Sequence, residues 1–173
     1  MPDLERLESL MLIACVVATQ SPDPSTQNGA VIYNPVNGAI VATAFNEFPS
    51  GVRYLEERWL RPTKYSYVEH AERNAIYQAA RAGVATEGLT MVAPWASCAD
   101  CARAIVQAGI TTLARLPAPH SPQWEDSIAH AEAIFEEGGV EVITLTSDFP
   151  TAPPLLRHGV VWHPDAHSEK SEE

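Results

Sequence analysis

From Leu89 onward the chain alternates short apolar runs with Ala-rich or amphipathic segments: Leu89 to Ala93, Cys101 to Ala108, Ile110 to Leu116, Trp124 to Glu137 and Val140 to Leu145. Gly109 follows the first amphipathic segment and Gly138-Gly139 the second, where glycine serves as a helix C-cap. The order therefore reads strand, helix, strand, helix, strand. Right-handed crossovers turn such a series into parallel pairing with helices layered on the sheet, so an α/β fold is the expectation for this half of the chain.

The first half completes the sheet. From Leu4, the residues Leu7, Leu10, Met11, Ala14, Cys15 and Ala18 recur at three and four residue steps behind Asp3, the pattern of an N-capped amphipathic helix. Gly29 to Tyr33 and Ala39 to Phe45 flank Asn34-Pro35-Val36-Asn37-Gly38, whose turn chemistry predicts an antiparallel hairpin. Val68 to Ala82 reads as a helix closed by Gly83. The expected architecture is a three-layer α/β/α sandwich on a mixed five-stranded sheet, one domain over residues 1–150. Residues 151–173 form a C-terminal extension in which Leu155, Leu156, Val160, Val161 and Trp162 are candidates to cap the core or a subunit contact, and whose end from Ser168 reads as a disordered, solvated tail.

Charge narrows the partner. The chain has 11 Lys and Arg against 22 Asp and Glu, a net charge of -11. Nucleic acid is held mainly by cations that neutralise phosphates, so the sequence argues against a nucleic-acid partner and for a small molecule. No apolar run is long enough to span a bilayer, and the N-terminus opens with Pro2, Asp3, Glu5 and Arg6; a cytoplasmic protein without a membrane partner is expected. Cys15, among Leu12, Ile13, Val16 and Val17, reads as a buried core thiol. Cys98 and Cys101 form a C-x-x-C, which in a reducing compartment points to metal or redox chemistry.

His70-Ala71-Glu72 and Ser97-Cys98-Ala99-Asp100-Cys101 carry the chemistry. The pattern expects His70 in the first turn of one helix and the two cysteines at the start of the next, so that an imidazole and two thiolates meet at the open ends of the helices. Three protein ligands make a zinc site with a position left for water, the catalytic kind. Helix N-termini favour thiolates, so the Cys pair is expected to be ionised. Glu72, two residues from His70, points about 200° round a regular helix. In an opening turn it reaches the activated water instead, as its proton carrier. The ordered H-x-E and C-x-x-C match the signature of zinc nucleobase deaminases, except that Ser97 stands in place of the Pro.

Beyond these residues the chain resembles the deoxycytidylate (dCMP) deaminases. His70-Ala71-Glu72-Arg73-Asn74-Ala75-Ile76 is similar to their H-A-E-x-N-A-I, and Cys98 to Ile105 with Gln107-Ala108-Gly109-Ile110 to their second motif. Asp23 to Ala30, Phe45-Asn46-Glu47-Phe48-Pro49 and Lys64 to Val68 also resemble that family. Asn74, after the H-A-E, favours this branch over tRNA adenosine, free-base and riboflavin-pathway deaminases. The resemblance implies a cytidine deaminase-like fold, commonly a homo-oligomer, with zinc on His70, Cys98 and Cys101 and with Glu72 as the catalytic proton shuttle. It further implies that Asn46 hydrogen-bonds the nucleotide sugar and that the backbone of Ala71 and Ala96 contacts the pyrimidine. The implied reaction is hydrolysis of dCMP to dUMP and ammonia; a nucleoside or free base is the alternative substrate, and a tRNA-type editor a more distant one.

Three departures accompany the resemblance. Ser97 replaces the Pro and frees the backbone before the first cysteine. Asn28 stands where the family mostly has an apolar residue, and a polar amide at the start of a core strand needs a partner. Glu47 stands where Gly commonly follows Asn46, and a carboxylate beside a phosphate pocket would oppose a nucleotide. Against it, the connection from Glu47 to Tyr67 brings Arg53, Arg58, Arg61 and Lys64 as a candidate anion-handling lid. Trp95 is a candidate wall of the base pocket or a core residue; the histidines at 120, 130, 158, 163 and 167 read as surface or structural.

Overall fold

The computed structural model describes residues 3–118 and 120–164, so the expected disordered tail lies outside the described residues. Helix α1 (Leu4–Ala18) starts where Asp3 Oδ1 accepts from the Arg6 amide at 3.0 Å, satisfying one of the free N–H groups of the first turn. Strands β1 (Gly29–Tyr33) and β2 (Ile40–Phe45) pair antiparallel, as the turn between them requires. The remaining elements are α2 (Ala71–Arg81), β3 (Thr90–Val92), α3 (Ala99–Gln107), β4 (Thr112–Arg115), α4 (Glu125–Gly138) and β5 (Glu141–Thr144). The sheet runs β2-β1-β3-β4-β5, parallel from β3 to β5 and antiparallel where β1 meets β3. The mixed five-stranded sheet of a three-layer sandwich results.

All five residues of β1 are buried, because both faces of that strand are covered. Alternation sorts them: Ala30 and Ile32 join the core under α2, α3 and α4, while Val31 and Tyr33 join the core under α1. Gly29 marks the closest approach of α1 to the sheet. A Cβ there would lie 2.2 Å from the Ala14 carbonyl oxygen and 2.6 Å from the Ala18 nitrogen, both backbone atoms, so no larger residue fits without moving the helix.

The extension folds back as a second, two-stranded sheet, β6 (Leu155–Arg157) and β7 (Val160–Trp162). Leu155 is buried in the α1-side core and Trp162 packs against it, whereas Val160 and Val161 are exposed. The two-residue link His158-Gly159 has positive φ at both positions, 53° and 81°, which matches the twist of a tight hairpin. Among the described residues no helix is long and apolar enough to cross a membrane.

Candidate active site

Antiparallel pairing of β1 with β3 puts the start of β1 and the end of β3 on the same edge of the sheet, and β2 ends there too. Asn46 follows β2, Asn28 precedes β1 and Trp95 follows β3. The Trp95 indole donates to the Gln27 carbonyl at 2.7 Å across this edge. The N-termini of α2 and α3 open onto the same place.

His70 is the N-cap of α2, one position before the first helical turn expected for it, because its backbone is still extended (φ -72°, ψ 152°). Cys98 is the N-cap of α3 in the same manner, and neither side chain caps its own helix, which leaves imidazole and thiol for other partners. His70 Nδ1 lies 3.5 Å from both Cys98 Sγ and Cys101 Sγ. The three ligand atoms fall within 4.8 Å of one another. Zinc bonds of about 2.0–2.1 Å to nitrogen and 2.3 Å to sulfur at tetrahedral angles set N···S separations of about 3.5 Å, so geometry and donor chemistry both fit the metal.

The electrostatics refine the expectation of an ionised Cys pair. Among the protein groups alone only Cys98 ionises: a hydrogen bond from the Cys101 thiol, aided by His70, holds Cys98 down to about 4 against the upward push of burial. Burial, the bond to Cys98 and the neighbouring negative charges send Cys101 well above the usual thiol value. Two adjacent thiolates repel, so the second ionises only with a cation between them. Burial presses the His70 imidazole down, but the Cys98 thiolate outweighs it and the net shift is upward. Cys15 is the inert thiol expected, fully buried and pushed up to about 12.

Glu72 occupies the second turn position of α2 and is 2% exposed. Burial raises its pKa, partly offset by His70. It lines a cleft together with His70, Cys98, Trp95 and Ala96. Ala71 is buried behind this wall and is not among the lining residues. Trp95 also belongs to the α1-side core, as one of its two expected roles requires. Trp124, before α4, stands edge-on to His70 at 6.1 Å and to Tyr65 at 5.7 Å; it lines the cleft too and carried no distinguishing signal in the sequence.

Asn46 lines the cleft, but its amide is heavily engaged within the protein. Its Nδ2 donates to Asp23 Oδ2 at 2.9 Å and to the Thr26 carbonyl at 2.8 Å, while its Oδ1 accepts from the Asn28 amide at 2.7 Å. Asp23 in turn accepts from Lys64 Nζ at 2.5 Å.

The expected lid of four cations divides. Lys64 lines the cleft but is buried against Asp23, Arg58 stacks over the Tyr67 ring, and neither Arg58 nor Arg53 is among the lining residues. Arg61 lines the cleft and donates to Ser25 Oγ at 3.2 Å. The connection itself is pinned by an aromatic cluster in which Phe48 stacks on Trp59 at 4.3 Å. Glu47 does not face the cleft: its carboxylate accepts from Asn74 at 3.3 Å, and its backbone pairs with that of Glu69. The expected opposition to a phosphate is therefore removed. Asn74 also donates to the Phe45 carbonyl at 3.0 Å, which ties α2 to the end of β2.

Two histidines read as surface or structural, His120 and His158, line the cleft, as does Arg157. Arg157 and His158 arrive on the β6–β7 hairpin, whose Leu-Leu-Arg, His-Gly, Val-Val-Trp sequence is a legible hairpin in retrospect. Neither ring nitrogen of His158 has a hydrogen-bond partner among the described residues. Burial and the charges of Arg157, Arg61 and Lys64 hold its pKa below the usual value.

Residues 4–115 match the family described as the cytidine and deoxycytidylate deaminase zinc-binding region. The deoxycytidylate deaminase of Mus musculus is 37% identical over 145 residues, covering 79% of this chain and 78% of that one. That of enterobacteria phage T4 is 29% identical over 182 residues, covering 81% and 90%. The crystal structure of dCMP deaminase from the cyanophage S-TIM5 in complex with dCMP and dUMP superposes with a TM-score of 0.64 at 26% identity, over 84% of this chain and 99% of that one.

Proposed function

Because the chain belongs to the zinc-binding cytidine and deoxycytidylate deaminase family, we propose that it hydrolyses dCMP to dUMP and ammonia. The observation that carries this reading is one buried carboxylate, Glu72, sharing a cleft with His70 and Cys98 while cationic side chains line the same cleft.

In this reading His70, Cys98 and Cys101 hold the zinc, which when bound lowers the pKa of a water so that it attacks at neutral pH. Glu72 takes a proton from the attacking water and delivers it to N3 of the cytosine ring as the oxygen bonds to C4. It then assists transfer of the second proton to the amine, the C4–N bond breaks, and ammonia leaves. The raised pKa of Glu72 suits a group that must hold a proton in transit. Trp95 and Trp124 flank the base, the backbone of Ala96 lies along its edge, and Asn46 meets the sugar through its remaining lone pair.

Arg61, Arg157 and His158 form the phosphate end. A dianion there gains charge-assisted hydrogen bonds from the guanidinium groups and gives the His158 ring N–H an acceptor, which it lacks among the described residues. Residues 1–150 are read as one deaminase domain and 151–173 as an extension, of which the hairpin reaches the substrate. The same reading makes the protein a cytoplasmic enzyme of pyrimidine nucleotide supply and a homo-oligomer. Ammonia release from dCMP, CMP, deoxycytidine, cytosine and guanine in parallel tests it: fastest turnover of dCMP is expected, and turnover of guanine alone refutes it.

A further inference from the structure

Asn28 sits between the sugar-side and reaction-side groups of the cleft. It is 8% exposed and lines the cleft. Its backbone is held on both sides, its N–H donating to Asn46 Oδ1 at 2.7 Å and its carbonyl accepting from the Asn46 amide at 3.2 Å. Gly29, the next residue, is pressed against α1, so the Asn28 side chain starts from a fixed point. That side chain donates from Nδ2 to Glu72 Oε2 at 3.2 Å. Its Oδ1 is buried and has no partner among the described residues. An ionised carboxylate only accepts, so before Glu72 takes up a proton the amide nitrogen faces it and the oxygen points elsewhere.

A buried acceptor without a donor is costly and rare in native proteins, and one that lines a cleft is a place where a ligand supplies the donor. On a cytosine ring O2 and N3 accept, and the donor is the exocyclic amine. The sugar hydroxyls hang from N1, on the far side of the ring from that amine. Oδ1 belongs to the same small amide that touches Glu72, and Glu72 works at N3 and C4.

We propose that Asn28 positions Glu72 and receives the departing amine: Nδ2 tethers one carboxylate oxygen, and Oδ1 accepts from the amine as C4 becomes tetrahedral and the C4–N bond breaks. With Oε2 engaged, proton traffic runs over Oε1, which fixes the direction in which Glu72 delivers. This rests on the reading of the site as a cytosine deaminase. It adds a residue outside the H-x-E and C-x-x-C motifs, at a position where the sequence resemblance leads one to expect an apolar side chain.

The test is a pair of apolar replacements, Asn28→Val and Asn28→Leu, the second close to asparagine in shape. Each is purified with zinc and compared with the wild type in zinc content, Tm, kcat and KM. Assays use whichever of dCMP, CMP, deoxycytidine and cytosine the wild type turns over fastest, so a wild type that prefers another cytosine compound overturns the dCMP reading and leaves the test of Asn28 intact. An interaction made mainly in the transition state lowers kcat and leaves KM nearly unchanged. The expected result is wild-type zinc content, KM within about twofold and kcat lowered about tenfold or more in both variants. A kcat within about twofold of wild type in either variant, or a loss that tracks loss of zinc or appears only in KM, overturns the proposal.

Discussion

Lys64 Nζ lies 2.5 Å from Asp23 Oδ2, and the two side chains are only 7% and 1% exposed. The same Asp23 carboxylate accepts from Asn46 and from the Ser25 and Thr26 amides, so the pair underlies the Asn46 end of the cleft. Removing one member of a buried pair strands the other charge, at a cost of about 3–5 kcal/mol. Lys64→Met should therefore lower stability by that order in a denaturant titration. A change below about 1 kcal/mol, the range of an exposed pair, would contradict the pairing.

Glu72→Gln keeps an oxygen that accepts from Asn28 and removes no zinc ligand. Turnover should fall by at least about 100-fold, the contribution typical of general acid-base catalysis, while zinc content and Tm hold. A variant with a third of the wild-type rate would assign proton transfer to another group.

Elemental analysis should find about one zinc per chain, as three-ligand sites of this kind bind a single ion. Because Cys101 by itself stays protonated, binding releases a proton from it, and zinc affinity should weaken as pH falls. Activity that survives complete chelation would exclude the metal from the reaction.

If Arg61, Arg157 and His158 hold the phosphate, dCMP should exceed deoxycytidine by at least about tenfold in kcat/KM, equivalent to about 1.4 kcal/mol. The preference should shrink in high salt, which screens partly exposed charges, and should drop in His158→Ala. Equal rates on the two substrates at low salt would promote the nucleoside as the substrate.

His158 also predicts a pH effect on stability. Its folded pKa is held below the usual 6.5, so the folded state prefers the neutral ring. The contribution is complete above the unfolded value and is lost as pH falls through the folded one. Acidification from neutral pH should thus reduce the Tm of the wild type more than that of His158→Gln, a comparison calorimetry can make. Identical pH slopes would mean that the ring titrates as if in water.

The elements were legible in the sequence because their signals are local. The i, i+3 and i+4 spacing from Leu4 gives α1, the Asn-Gly turn gives the first hairpin, and the strand-helix alternation after Leu89 gives the parallel half of the sheet. His70, Cys98 and Cys101 were legible for a different reason: metal ligation demands particular residue types at particular spacings, and few other duties do. Tertiary structure decided what each polar residue faces. Glu47 turns to Asn74 instead of the cleft, Lys64 is claimed by Asp23, and Asn28 meets Glu72 from 44 residues away. His158 reaches the cleft only because β6 and β7 fold back onto the edge where β1 and β3 run antiparallel. Periodicity reports which face of an element is apolar, but the partner of a buried charge or amide is chosen by whatever distant group the packed chain brings within hydrogen-bond reach.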